Sequence, residues 1–423
     1  MKYRVLPHFC FVILSISIIF VPGFVWMNTI SQACFRRYVT TQSVIVAFYW
    51  SWCHSNFNKY SISDVKLHIF NPEHEMALAC DKTAMTLPHA IQEFKMNLGF
   101  LPALWAHDGD FVLVDDVLFA LKALDKCHRP HADVLFVTID DIKHLMFSHF
   151  EPWGWDKVVR QTLLNAGIPE SLLPSDGYLS YIRSLADRRN TTCALSYLRS
   201  GIEEFTCGES CFCKSFAEVD YAMQRYGRIV VKTLWSSSGR GVRYIDRSIG
   251  ASTRGWIANV IEKQGGLMVE PYYKKVKDFA LEFRSKGGGS VEYCGLSIFE
   301  TNKSSYAGNL VACEDEKMSM LCKYLPESLV ETVKQRFIEY FSLMPFARYE
   351  GPLGVDMMVV AGGNAGRFLL HPCVEINVRR TMGHVANSQY SSPAEPPQLM
   401  HIIHDVNYKL KFDNIDCHFV KVL

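Results

Sequence analysis

Short apolar runs separated by helical spacing open the interpretable part of the chain. "KLHIF" (66–70) is a strand-length run, and "NPEHEMALA" turns from it into helix-forming residues. "FVLVDD" (111–116) is a second short run, "VLFALKALDKC" has helical spacing, and "ADVLFVTID" (132–140) is a third strand. Strands alternating with helices predict βαβ units and a parallel sheet up to about residue 150. The stretch from "EPWGWDKVV" to "SLADRR" then reads as helices punctuated by prolines.

From Ser215 the pattern changes. "SFAEVDYAMQRYG" carries a serine start and a glycine stop, and feeds the strand "RIVVK". "GLMVEPYY", "DFALEFRS" and "SVEYCGLSIFE" follow as strands with "SKGGGS" as a turn, which predicts an antiparallel sheet. "PESLVETVKQRFIEYFSL" is the clearest amphipathic helix. "GPLGVDMMVV" and "RFLLHPCVEIN", joined by "AGGNAG", read as the two final strands.

The first 64 residues lie outside this pattern. Phe9 to Trp26 is an unbroken apolar run behind Lys2 and Arg4, in the form of a signal sequence or a short membrane helix. The preferred reading is an over-extended start, because globular character begins abruptly at Val65; membrane anchoring through 9–26 is the alternative. Without this segment the balance is 39 basic against 42 acidic residues, a net of −3. The full chain has 44 against 43, so no net field attracts nucleic acid or an acidic membrane. Fourteen scattered cysteines in 423 residues suit reduced thiols and a cytoplasmic setting better than a disulfide framework.

Three constellations carry chemistry. In "VVKTLWSSSGRGVRYI", Lys232 ends a β-branched run and precedes Ser236, Ser237, Ser238, Gly239, Arg240 and Gly241. Backbone N–H groups of such a loop can turn toward phosphate oxygens, with the lysine and arginine adding charge. A hairpin turn with a solvated lysine explains the stretch equally well. "LGVDMMVV" sets Asp356 among apolar neighbours, and "CVEIN" puts Glu375 and Asn377 two apart, on one face of a strand. If the strands pair, the three oxygens converge as a Mg²⁺ site. Arg379 and Arg380 follow, suited to a transferring phosphoryl group. In "GGLMVEPYYKKVKDFALEF" an apolar strand ends at Glu270 and re-enters at Asp278; this could hold a flat base, although a plain connection between sheets is the simpler reading.

Taken in order, these pieces resemble the ATP-grasp superfamily over residues 181 to 390. The resemblance implies that Lys232 and the "SSSGRGV" loop meet ATP phosphates, and that Glu270 to Tyr273, Tyr272 included, form the adenine hinge with Asp278 after it. It gives one or two Mg²⁺ (Mn²⁺ as a substitute) to Asp356, Glu375 and Asn377, and turns "NVRRTMGHVA" toward the acceptor. Arg188 and Arg189 stand where the family has its first nucleotide lysine.

The implied fold is α/β (α+β): an apolar extension over 1–64, a Rossmann-like pre-ATP-grasp domain over 65–180, and a two-subdomain ATP-grasp region with mainly antiparallel sheets over 181–423. The implied activity is ATP- and Mg²⁺-dependent ligation, with a small-molecule or peptide carboxylate activated as an acylphosphate for attack by an amine or thiol. The alternatives are a small-molecule kinase and a nucleotide-binding regulator without turnover, tethered at a membrane. Cys207, Cys211 and Cys213 read as a surface insertion rather than a metal site. Asn71, Glu73, His74 and Glu75 read as a capped helix start with solvated acids, and otherwise as an acceptor-side contribution; Trp153 and Trp155 read as packing.

Overall fold

Four short strands form a parallel sheet: β1 (Lys66–Ile69), β2 (Phe111–Leu113), β3 (Leu135–Val137) and β4 (His149–Pro152), in the order β3-β2-β1-β4. The computed structural model describes residues 65–415 except 237–240, 303–304, 344, 363–365, 391 and 393–394. The apolar run 9–26, Ser237 to Arg240 and residues 363–365 of the "AGGNAG" turn therefore lie outside the described residues. Among the described residues no helix is long and apolar enough to cross a membrane.

The helix "VLFALKALDKC" forms as expected over Val117–Cys127, with Asp116 capping it through the Phe119 amide. One boundary differs. "EPW" does not begin the helical stretch; His149–Pro152 is β4, paired with β1 from Lys66↔His149 to Ile69↔Pro152. Its alternation spans only four residues, too few to register as a period. Its proline is tolerated because β4 is an edge strand.

The second sheet is antiparallel: β5 (Cys211–Cys213), β6 (Arg228–Thr233), β7 (Val242–Asp246) and β8 (Leu267–Pro271), ordered β5-β8-β6-β7. A Ser215/Glu218 capping box starts the helix Phe216–Tyr226, and Gly227 at φ 73° stops it. That helix packs Val219 and Met223 against Ile229, Val231 and Val269. The cysteine-rich segment is not a surface insertion. Cys211 to Cys213 pair with Val269 to Leu267, and Cys213 enters this core. Three residues of edge strand with glycine and serine before them carry too little apolar signal to be read as β.

The third sheet holds seven antiparallel strands: β9 (Lys275–Lys286), β10 (Val291–Asn302), β11 (Ser305–Val311), β12 (Glu350–Ala361), β13 (Phe368–Asn377), β14 (Gln398–His404) and β15 (Tyr408–Asn414). Their order is β13-β12-β9-β10-β11-β14-β15. One face is apolar: Phe279, Leu281, Phe283, Leu296, Leu353, Val355 and Met357 are buried beneath Val333, Phe337 and Phe341 of the helix Glu327–Ser342. Every second residue therefore points to the opposite face, which carries the polar groups described next.

β12 and β13 are not the final strands, since β14 and β15 extend the β11 edge. Their alternation is broken by His401, His404 and Lys409, and only Met400 and Leu410 are buried in them. Those two side chains join Phe70, Leu98 and Val112 in one core cluster, so this hairpin shares its core with the parallel sheet.

Candidate active site

β12 and β13 are paired so that Asp356 faces Glu375 directly and Gly354 faces Asn377. All three polar side chains thus project from the polar face of the large sheet. On the next strand Ala280 faces Asp356, which puts Asp278 and Glu282 on the same face to either side.

The acids repel one another. Asp356 is pushed up to about 8, first by burial, then by Glu375 and Glu282, with Arg379 pulling the other way. Glu282 is almost fully buried and sits 3.0 Å from His384 Nδ1. Gly354 makes room for it, because a Cβ there would lie 2.6 Å from Glu282 Oε2. Nothing in "ALEF" distinguishes Glu282 from an exposed strand residue.

Cations reach this face from two directions. Arg188, just before the helix Arg189–Arg199, donates from Nη1 to Thr233 O (2.6 Å) and Ser236 Oγ (2.9 Å). Its Nη2 donates to Ser236 O (2.9 Å) and Glu375 Oε1 (2.5 Å). The arginine that replaces the expected lysine thus ties the start of the serine-glycine loop to β13. Arg189 instead turns back to Asp187. Gly241 closes the loop, since a Cβ there would collide with Ser236 and Thr233.

Lys232 is buried and pairs with Glu270 Oε2 at 2.7 Å, also donating to Val374 O at 3.2 Å. Tyr272 stacks beneath Arg228, 3.5 Å from guanidinium to ring centroid, while Asp278 is held by Lys275 and accepts from Thr301 Oγ1 at 2.8 Å. His371 lies fully buried on β13 with neither ring nitrogen hydrogen-bonded, its ring edge-on to Tyr273. Burial, and then Lys232, hold it down to about 3.

The second direction is the segment after β13. Arg379 pairs through Nε with Glu75 and donates from Nη1 to Arg380 O. Arg380 lies over Trp105, and its amide donates to Trp153 O. Burial pulls its guanidinium down to about 10. Trp153 packs against Phe70 and Trp105, as expected of a packing residue.

The acids of "NPEHE" are not solvated. Glu73 pairs with Lys95 at 2.5 Å and Glu75 with Arg379, and Asn71, Glu73, His74 and Glu75 are all buried. No side chain caps the helix His74–Cys80. Burial of these acids is bearable because each has found a cation distant in sequence. A narrow cleft of about 10 Å³ results, lined among others by His74, Glu75, Ser236, Glu375, Asn377 and Arg379.

Asp356, Glu375 and Asn377 suit a hard divalent cation. Two facing carboxylates, one of them pushed up first by burial and then by the other, are what such an ion would relieve. Among the described residues no three His, Cys, Asp or Glu side chains converge as a metal centre, so the third protein ligand would be the Asn377 amide.

No protein-family model matches the chain, and no curated protein sequence does. Solved structures do resemble it. N5-carboxyaminoimidazole synthetase from Staphylococcus aureus, complexed with ADP, is 15% identical with a TM-score of 0.44, over 81% of this chain and 84% of its own. The N5-carboxyaminoimidazole synthase of Aspergillus clavatus, in complex with ADP and 5-aminoimidazole ribonucleotide, is 12% identical (TM-score 0.42, 81% and 83%). Biotin carboxylase from Campylobacter jejuni is 11% identical (TM-score 0.47, 81% and 76%). At this level of similarity the side chains, and not the likeness, carry the functional reading.

Proposed function

We propose that the protein is an ATP- and Mg²⁺-dependent ligase of the ATP-grasp kind, joining a small carboxylate to an amine or thiol. The observation that carries this is the meeting of Asp356, Glu375 and Asn377 on one sheet face, with Arg188 linking Glu375 to the serine-glycine loop. Phosphates entering the cleft would draw on Arg188, on Lys232 as it leaves Glu270, and on the loop amides. Asp356, Glu375 and Asn377 would hold Mg²⁺, which when bound neutralises phosphate charge. Tyr272 and Glu270 would border the adenine, and Arg379 or Arg380 would steady the transferring phosphoryl group.

In chemical terms, a carboxylate oxygen forms a bond to the γ-phosphorus and the bond to the β-phosphate oxygen breaks, releasing ADP. The nucleophile then attacks the acyl carbon and phosphate leaves. ADP release measured for the full chain against carboxylate and amine libraries tests the reading. ADP formed with carboxylate alone and a stable phosphorylated product would identify a kinase instead. Unchanged turnover in both Asp356→Ala and Glu375→Ala would sink the metal-centred site.

A further inference from the structure

One group beside this cleft is built for proton transfer and has no role in nucleotide or metal binding. His74 is 1% exposed. Its Nδ1 lies 3.0 Å from Asp156 Oδ2, which also accepts from Asn71 Nδ2 at 3.1 Å. Asp156 Oδ1 accepts the amides of Val158 and Val159, both at 2.9 Å, as the N-cap of the helix Lys157–Asn165. A carboxylate that already accepts from three other groups is placed to accept from His74 as well, so Nδ1 carries the imidazole proton and Nε2 presents a lone pair. That Nε2 is buried without a hydrogen-bond partner, on a ring that lines the cleft with Glu75, Arg379, Asn377 and Glu375. Gly154 packs its backbone against the face of the ring, since a Cβ there would lie 2.6 Å from Cδ2 and 2.7 Å from Nε2; the in-plane lone pair of Nε2 is left without a partner.

A buried polar atom without a partner costs free energy unless a ligand satisfies it. Sequestered from water and fixed in tautomer, it is instead suited to a substrate proton. We propose that His74 Nε2 is the proton acceptor for the attacking nucleophile, with Asp156 and Asn71 as positioning residues; this rests on the ligase reading above. As the amine nitrogen bonds to the acyl carbon and the C–O bond to phosphate breaks, the nitrogen's proton passes to Nε2 and the departing phosphate takes the electron pair. The imidazolium formed is balanced by Asp156 beside it. The co-substrate is thereby defined as a small nucleophile with a transferable N–H or S–H, docked on the Glu75–Arg379 side of the cleft.

The test uses the full chain with ATP, Mg²⁺ and carboxylates from the library. The nucleophiles are either the amine library or hydroxylamine, which attacks acylphosphates without assistance. His74→Gln is expected to form hydroxamate within about 3-fold of the wild type, yet to lose ligation to amines by about 10²-fold or more. Asp156→Asn retains a competent N-cap and so the fold. It is expected to lose the Nδ1–H signature of His74 in ¹⁵N spectra of histidine-labelled protein, together with at least 10-fold in amine ligation. Amine ligation at the wild-type rate in His74→Gln overturns the proposal, as does equal loss of both reactions in a folded variant. A wild-type ¹⁵N spectrum showing His74 protonated on Nε2 overturns it without any substrate. Absence of hydroxamate from the wild-type reaction with every carboxylate defeats the ligase reading itself, a distinct pattern.

Discussion

Removing the carboxylate of Glu151 should cost stability in a way that titrates. Glu151 on β4 is 2.9 Å from Lys66 Nζ and 2.9 Å from Arg284 Nη2, with Arg380 Nη2 at 3.8 Å. Burial alone would raise its carboxyl, but Arg284, Lys66 and His68 outweigh burial and hold it at about 2, against 4.5 ordinarily. The gap between about 2 and 4.5 sets an upper limit of about 3 kcal/mol. Lys66 and Arg284 are about a third exposed, and solvent screening lowers the expectation to about 2 kcal/mol.

The sign follows from the depressed folded value. The contribution is complete above pH 4.5, and is lost as pH falls from there through about 2. Urea unfolding of Glu151→Gln beside the wild type should therefore give about 2 kcal/mol less stability at pH 7. Less than half of that difference should survive at pH 3. A difference of equal size at both pH values would show that shape, not charge, is what Glu151 contributes, and no difference at pH 7 would refute the reasoning outright.

Other outcomes are open to simple measurement. Gly354→Ala, whose new methyl would press on Glu282 and Thr381, should destabilise by about 1–3 kcal/mol in the same assay. Lys232→Met leaves Glu270 buried without its cation and should cost about 3–5 kcal/mol, and adding Glu270→Leu should recover much of that; additive losses would argue against a coupled pair. Saturating ATP with Mg²⁺, at about 100 times the dissociation constant, should stabilise the wild type by about 2.7 kcal/mol and Asp356→Ala far less, as read by thermal shift.

How much of this was legible in the sequence depended on the range of the forces involved. The helix Phe216–Tyr226 and the pairing of β12 with β13 were readable, because a capping box and a period of two are local patterns. The placement of Asp356 opposite Glu375 follows from such a pattern once the strands pair. The acids of "NPEHE" were not readable, since Glu75 is buried only by virtue of a cation 304 residues later. Glu282 and His371 have no local mark at all; their surroundings come from strands and helices that the chain supplies elsewhere. The strands β5, β14 and β15 carry no such mark, because half-exposed strands dilute their own alternation.

The shared core of the parallel sheet and the 398–414 hairpin has a consequence for synthesis. Val112 leaves the ribosome roughly 290 residues before Met400, its fellow in that core. At about 5–20 residues per second, the early sheet waits about 15–60 s with one apolar flank uncovered. Pairings so distant in sequence also slow the search for the native state, because the loop must close before any contact rewards it. Expression yield should therefore depend on chaperone supply more steeply than the stability of the finished protein would suggest, and a ribosome stalled short of the hairpin should display a nascent chain sensitive to proteases throughout its first sheet.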